Sequence, residues 1–271
     1  MQNWIWKQTN GIDYITLPTW EDMGVTVAFS GRNGGTSEVP YQSLNLGLHV
    51  GDKTENVIHN RNRFLSALGQ KLDSVTCCQQ VHGTRVAVVN KKDAGKGAYD
   101  YATSLADYDA MVSNIPGIML TTFYADCIPL FFFDPVHKVV ALAHSGWKGT
   151  MGKIACKTVE TMQQQYGSLY SEIYAFIGPG IDSCCFNIQE DLAKKVTKEF
   201  AGLSDIINMG KNGYRWDLKE TNYQILIQIG FRPENITCCD LCTSCCLDKF
   251  YSYRQEKGLT GRMGAVIGLK Y

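Results

Sequence analysis

The chain has 271 residues, enough to bury a large core as one large domain or two small ones without covalent staples. Hydrophobic residues make up 45% and charged residues 19%; 26 basic side chains are balanced by 26 acidic ones, so net charge is zero and a nucleic-acid partner is not expected. The longest apolar stretch, Ile128 to Phe133, is far too short to span a bilayer, so no membrane association is expected. The start, MQNWIWKQTN, lacks the basic segment and apolar run of a secretory signal. Eleven cysteines, an odd number, then read as thiols kept reduced in a cytoplasmic protein rather than as a disulfide framework.

In chain order, Val25–Ser30 alternates as a strand and runs into the glycine-rich loop 31–35. Asp52 with Glu55 reads as a capping box opening a helix that runs to Leu68 and stops at Gly69. Strands are expected at 75–81 and 85–90, on either side of His82-Gly83-Thr84. Residues 91–106, rich in lysine and glycine, read as a long mobile loop. Short strands follow at 110–113, 118–123, 129–134 and 139–143, separated by turn signals such as Pro116-Gly117 and Asp134-Pro135. A helix is expected after Gly149, a strand at 172–177, helices at 189–200 and 218–229, and strands at 236–239, 250–253 and 265–269. Strands and helices mix without strict alternation, which favours mixed sheets covered by helices over a doubly wound parallel sheet.

Two of the five histidines, His82 and His144, stand at strand ends, and Cys127 lies between them at the junction of two apolar strands. His, Cys and His are zinc ligands, and three protein ligands leave a fourth position open, the arrangement of a catalytic site. A strand-end histidine taken alone is more often a hydrogen-bonded structural group. Asp109 and Asp126 are each candidates for a general base or for a carboxylate that orients a metal-bound histidine. Trp147, beside His144, offers a face for a flat substrate, or core packing.

The segment 238–246 carries overlapping C-x-x-C pairs, Cys239/Cys242 and Cys242/Cys245, without a second comparable pair elsewhere, and most of its cysteines read as free thiols. Arg61 falls inside an apolar helical stripe about 120° wide formed by Val57, Ile58, Phe64, Leu65 and Leu68. A guanidinium aimed at a core needs a buried anion or a polar cavity, so Arg61 reads either as an ion-pair partner or as an anion clamp. No dinucleotide fingerprint, phosphate loop or nucleophile elbow is present in the sequence.

Taken together, these segments resemble the YfiH-like family, also called the laccase-domain or multicopper polyphenol oxidoreductase family. The resemblance rests on Ser43-Leu44-Asn45-Leu46-Gly47, His49-Val50-Gly51-Asp52, Asn60-Arg61, Gln80-Val81-His82-Gly83 and Asp109-Ala110. It continues through Ala125-Asp126-Cys127-Ile128-Pro129, His144-Ser145-Gly146-Trp147-Lys148-Gly149, Ile177-Gly178-Pro179-Gly180-Ile181, Cys242-Thr243, Tyr251-Ser252-Tyr253-Arg254 and Thr260-Gly261-Arg262, so it covers the whole chain as one domain, 1–271. It departs where members commonly carry Tyr-Glu-Val and this chain has Cys185-Phe186-Asn187-Ile188, and where Gln255 replaces a second arginine.

The resemblance implies an α/β fold of the α+β kind, a four-layer α/β/β/α sandwich with mixed sheets. It implies a metal, zinc with copper as the alternative, held by His82, Cys127 and His144. Catalytic roles fall on Arg61, Asp126 and Cys127, and substrate contacts on Asn45 and Arg61. The implied activity is phosphorolysis of purine nucleosides such as adenosine and inosine, with adenosine deamination beside it, so the partners are a purine nucleoside and phosphate. Copper-dependent oxidation of phenols and peptidoglycan editing are the alternatives the family brings. Oxygen reduction at several coppers needs many more histidines than the five available.

Overall fold

Hydrophobic alternation in two long strands sets the architecture. In Ile128–Asp134 and Val139–Ser145, Phe131, Phe133, Val140 and Leu142 face one core, while Leu130, Phe132, Ala141 and Ala143 face another. Successive strand side chains point to opposite faces, so a strand apolar at every position must be covered on both sides. The computed structural model, which describes residues 3–210 and 213–271, meets that demand with four layers.

These two strands pair antiparallel at the centre of a six-stranded sheet ordered Ile236–Cys238, Tyr174–Ile177, Ile128–Asp134, Val139–Ser145, Ala110–Ser113, Val86–Val88. A second six-stranded sheet is ordered Ile5–Thr9, Ile12–Thr16, Val25–Ser30, Met263–Leu269, Met119–Tyr124, Val75–Cys77. Both sheets are mixed, with parallel pairs only at their rims. They pack face to face through Val27, Phe29, Leu120, Ala265 and Ile267 on one side and Phe131, Phe133, Val140, Leu142 and Phe176 on the other. The helix Thr54–Ala67 covers one outer face through Phe64 and Leu65. Helices Ile154–Tyr166, Glu190–Glu199 and Leu218–Gln228 cover the other through Val159, Val196 and Leu226. This is the expected α/β/β/α sandwich with mixed sheets. Among the described residues no helix is long and apolar enough to cross a membrane.

Several local expectations differ from the structure. The first hairpin, Ile5–Thr9 with Ile12–Thr16, turns at Asn10-Gly11 with both φ values positive, the two-residue turn that matches strand twist. The helix after Asp52 begins at Thr54, and Asp52 does not cap it. Its carboxylate instead accepts hydrogen bonds from Ser37 Oγ at 2.6 Å and Asn45 Nδ2 at 2.9 Å. Residues 250–253 join no strand, although Phe250, Tyr251 and Ser252 are fully buried. A third, small sheet of Asn187–Ile188, Gly213–Trp216 and Ile207–Gly210 packs beside the helices.

The segment 91–106 is not a free loop. Short helical turns at Lys91–Asp93 and Tyr101–Thr103 shape it, and Arg61 fastens it. Arg61 Nη1 donates to Gly97 O at 2.6 Å and Ala98 O at 2.7 Å, while Nε donates to Leu46 O at 2.8 Å. The buried guanidinium therefore bonds backbone carbonyls rather than a carboxylate, and it lies 4.4 Å over the Phe123 ring. Hydrogen bonds to a charged group contribute about 1.5–3 kcal/mol each, and a lysine cannot reproduce the planar fork. Arg61→Lys is expected to lower unfolding stability by about 2 kcal/mol or more in a denaturant titration; an unchanged midpoint would contradict this bracing role.

Candidate metal centre

The strand alternation that builds the inter-sheet core also aims two of the three proposed ligands. His144 continues the inward set of Val140 and Leu142, and Cys127 precedes the inward residues Phe131 and Phe133 and packs against that core. Pro129 lies opposite His144 in the antiparallel register, so both side chains leave the sandwich at the same end. His82 arrives from the loop after Val75–Cys77 with φ of 59°, a conformation rare for a residue with a Cβ.

The ligand atoms of His82, Cys127 and His144 all lie within 4.8 Å of one another. Cys127 Sγ is 3.9 Å from His82 Nε2, and the two imidazole rings stand edge to face at 4.8 Å. Asp109 organises this group. Its carboxylate is 2.9 Å from His144 Nδ1 and accepts backbone hydrogen bonds from Val81, His82 and Gly83 at 3.3, 3.0 and 2.6 Å. His144 is thereby fixed with Nε2 toward the trio, and the same acceptor holds the turn that carries His82. Gly146 completes the close approach: a Cβ there would stand 2.8 Å from Cys127 Sγ and 3.2 Å from the His82 ring.

Burial alone would raise the Cys127 thiol, but the facing His144 and His82 rings bring it down to about 6. Burial would likewise lower His144, yet the Cys127 thiolate and Asp109 lift it to about 9. Near pH 7 the pair therefore rests as a Cys127 thiolate facing a His144 imidazolium; a metal would take the thiolate as it stands and displace the His144 proton.

Two cavities meet at the trio, and His82, Ala125, Cys127, Trp147 and Tyr253 line both. One, of about 380 Å³, is polar and cationic, with Lys148, Arg262, His49 and Gln80 on its walls. The other, of about 280 Å³, is walled by Ile181, Phe186 and Leu218 with Arg254 at one side. Burial, followed by the charges of Arg262 and Arg61, pushes His49 down to about 4, so it is neutral near pH 7. Trp147 and Tyr253 are the exposed aromatics where the cavities open.

The remaining expected site residues take supporting positions. Arg61 stands behind Phe123, whose ring it stacks on and whose other surroundings include the cationic cavity. Asn45 is fully buried, donates to Asp52 and Gly47 and accepts from the backbone of Gly47 and Arg262. Its amide is therefore occupied within the protein, which corrects the expectation of direct substrate contact. Asp126, with φ of 84°, accepts from Thr243 Oγ1 at 2.8 Å, Ser252 Oγ at 3.0 Å and Arg254 N at 2.7 Å. Those donors make it an anchor for two loops rather than a free base. His49, Gln80, Lys148, Tyr253 and Arg262 join the site without standing out in the sequence as chemical groups. Each falls in a segment that carries the family resemblance, which is the signal that points to them.

Comparisons with known proteins identify the family of the chain. A family model described as multi-copper polyphenol oxidoreductase laccase matches residues 26–270. The purine nucleoside phosphorylase YlmD of Bacillus subtilis is 38% identical over 267 residues, covering 98% of this chain and 92% of that protein. Among solved structures, YlmD from Geobacillus stearothermophilus superposes with a TM-score of 0.91 at 35% identity, over 98% of this chain and 99% of that one. A hypothetical protein YfiH from Bacillus licheniformis has the same TM-score at 36% identity, over the same shares. The chain belongs to the laccase-like YfiH family.

Proposed function

We propose that this chain is a zinc-dependent purine nucleoside phosphorylase acting on adenosine, inosine and related nucleosides. The observation that carries this reading is the His82, Cys127 and His144 trio, set where a cationic cavity meets an apolar one. Two imidazoles and a thiolate suit zinc and leave a side open to substrate. When bound, the ion supplies Lewis acidity toward a substrate oxygen.

The protein's own groups account for the rest. Arg262 and Lys148 hold phosphate in the cationic cavity, and Arg61 adds positive potential from behind Phe123. Phe186, Ile181 and Leu218 exclude water around the purine, and Trp147 and Tyr253 offer it aromatic faces. In the reaction a phosphate oxygen bonds to the anomeric carbon of the ribose. The glycosidic C–N bond breaks, its electron pair stays on the base, the base takes up the proton the hydrogen phosphate gives up, and the products are a free purine and ribose 1-phosphate. Asn45 positions Arg262, and Asp126 positions the loops beside Cys127. Relatives named purine nucleoside phosphorylase support the reading.

A second reading, adenosine deamination, uses the same trio, since water activated beside an open zinc position displaces an amine. Copper-dependent phenol oxidation draws support from the family description alone. Within this cleft the described histidines are His49, His82 and His144, a set suited to one ion.

Incubating zinc-loaded protein with adenosine, with and without phosphate, separates these chemistries. Adenine and ribose 1-phosphate formed only with phosphate is the expected result. Inosine and ammonia formed without phosphate would mark the deaminase. Oxygen uptake with phenols on copper loading, with no purine product, would replace the proposal with the oxidase. Asp109→Asn tests the support of the trio. An amide cannot serve all four donors at once, so zinc affinity is expected to fall roughly 10–100-fold, while unaltered affinity would remove Asp109 from the site.

A further inference from the structure

A second group of metal-binding character lies outside the cleft just described. Cys184 Sγ is 3.6 Å from Cys185 Sγ and 3.6 Å from Cys245 Sγ, and Cys185 Sγ is 3.4 Å from Cys245 Sγ. With Cys242, all four sulfurs lie within 4.8 Å of one another. Zinc–sulfur bonds of about 2.3 Å in a tetrahedron place sulfurs about 3.8 Å apart. A disulfide brings them to about 2.05 Å. The three separations of 3.4–3.6 Å lie close to such a tetrahedral edge and far beyond a disulfide, and Cys242 stands within 4.8 Å of all three. We propose that Cys184, Cys185, Cys242 and Cys245 bind a structural zinc ion, separate from the His82, Cys127 and His144 trio.

The backbone presents these thiols from two adjoining turns. Cys185 N and Phe186 N both donate to Asp182 O at 2.9 Å, closing a turn around the vicinal pair. Cys245 N and Cys246 N donate to Cys242 O at 3.2 and 3.1 Å, closing a C-x-x-C turn. The turns are joined by a bridge between Gly180 and Cys242 and by Thr243 N to Gly180 O at 3.1 Å. Asp182 N donates to Cys242 Sγ at 3.4 Å, a bond that strengthens when the sulfur is a thiolate. Between the paired cysteines, the Ser244 hydroxyl is buried and finds no oxygen or nitrogen partner among the described residues, with the Cys185 sulfur as its acceptor. A thiol is a weak acceptor, whereas a metal-held thiolate is a stronger one for such a donor.

Four thiolates select a soft or borderline ion, and four protein ligands close the coordination shell, which makes the site structural rather than catalytic. Sulfurs this close surround a single ion and leave no space for a cluster. The ion would tie a wall of the substrate cleft to its support. Phe186, next to Cys185, lines the apolar cavity, and Thr243, next to Cys242, donates to Asp126 beside Cys127. Of the two overlapping C-x-x-C pairs, this assigns metal binding to Cys242/Cys245. Cys239 instead turns its carbonyl to Lys219 Nζ at 2.9 Å.

The test is metal analysis of protein purified without added metal, comparing the unmutated chain, Cys127→Ser, and Cys184→Ser/Cys245→Ser. The double variant is expected to hold one zinc fewer per chain than its parent and to melt several degrees lower. Cys127→Ser is expected to keep that zinc, so loss at one site is distinguishable from loss at the other. Should the double variant fail to fold, cobalt substitution of the unmutated protein decides. A four-sulfur tetrahedral site gives intense thiolate-to-cobalt charge-transfer bands and strong ligand-field bands in the red, which persist in Cys127→Ser. Equal zinc content in the double variant and its parent, absence of those cobalt bands, or a Cys185–Cys245 disulfide in the purified protein would overturn the proposal.

Discussion

A fully buried carboxylate must find donors, and Asp109 finds four of them. Three are the consecutive backbone amides of residues 81–83 and the fourth is the His144 ring. Its own carbonyl accepts from His144 N at 2.7 Å, so it also belongs to the sheet that carries His144. The position of one histidine and the tautomer of the other are therefore set by a single side chain. Cys127 completes the trio because the inter-sheet face of Ile128–Asp134 ends beside it.

Asp126 plays a parallel part on the other side of Cys127. It gathers Thr243, Ser252 and the Arg254 backbone, and so brings two loops, more than 100 residues away in the chain, to the rim of the apolar cavity. Asn45 does the same for Arg262 at the rim of the cationic one. Polar groups with every bond made are rigid, and a rigid surround is what holds ligands close enough for a metal without collapse. The four-cysteine group extends this arrangement, since it lies between Phe186 and Thr243, which belong to the same cavity wall and its support.

The four-layer stacking came from the family resemblance, but single strands were legible where the apolar pattern was long. That pattern marks 129–134 and 139–143, which the structure extends to Ile128–Asp134 and Val139–Ser145, and Val25–Ser30. It failed where burial comes from tertiary bonds. Phe250-Tyr251-Ser252 is as apolar and aromatic as a strand, but Ser252 binds Asp126 and Tyr251 donates to Tyr41 O, so the segment pairs with no sheet. The lysines and glycines of 91–106 suggested mobility, while the two carbonyls that Arg61 holds there are invisible to local pattern. The first hairpin was not read from the sequence, although its Asn10-Gly11 turn is the usual two-residue hairpin signal. At the site, the three residues the structure brings together could be named as candidate ligands because strand ends and the family resemblance coincide. The Cys184-Cys185 pair could not be matched to Cys242 and Cys245 from spacing, because only the crossing of two turns brings them together.

The central claim is that His82, Cys127 and His144 converge on one ion. Diffraction data from crystals of the protein, collected on both sides of the zinc absorption edge, test it most directly. An anomalous peak within bonding distance of both imidazole nitrogens and the Cys127 sulfur is expected. Crystals of zinc-replete protein with no peak at that position would contradict it.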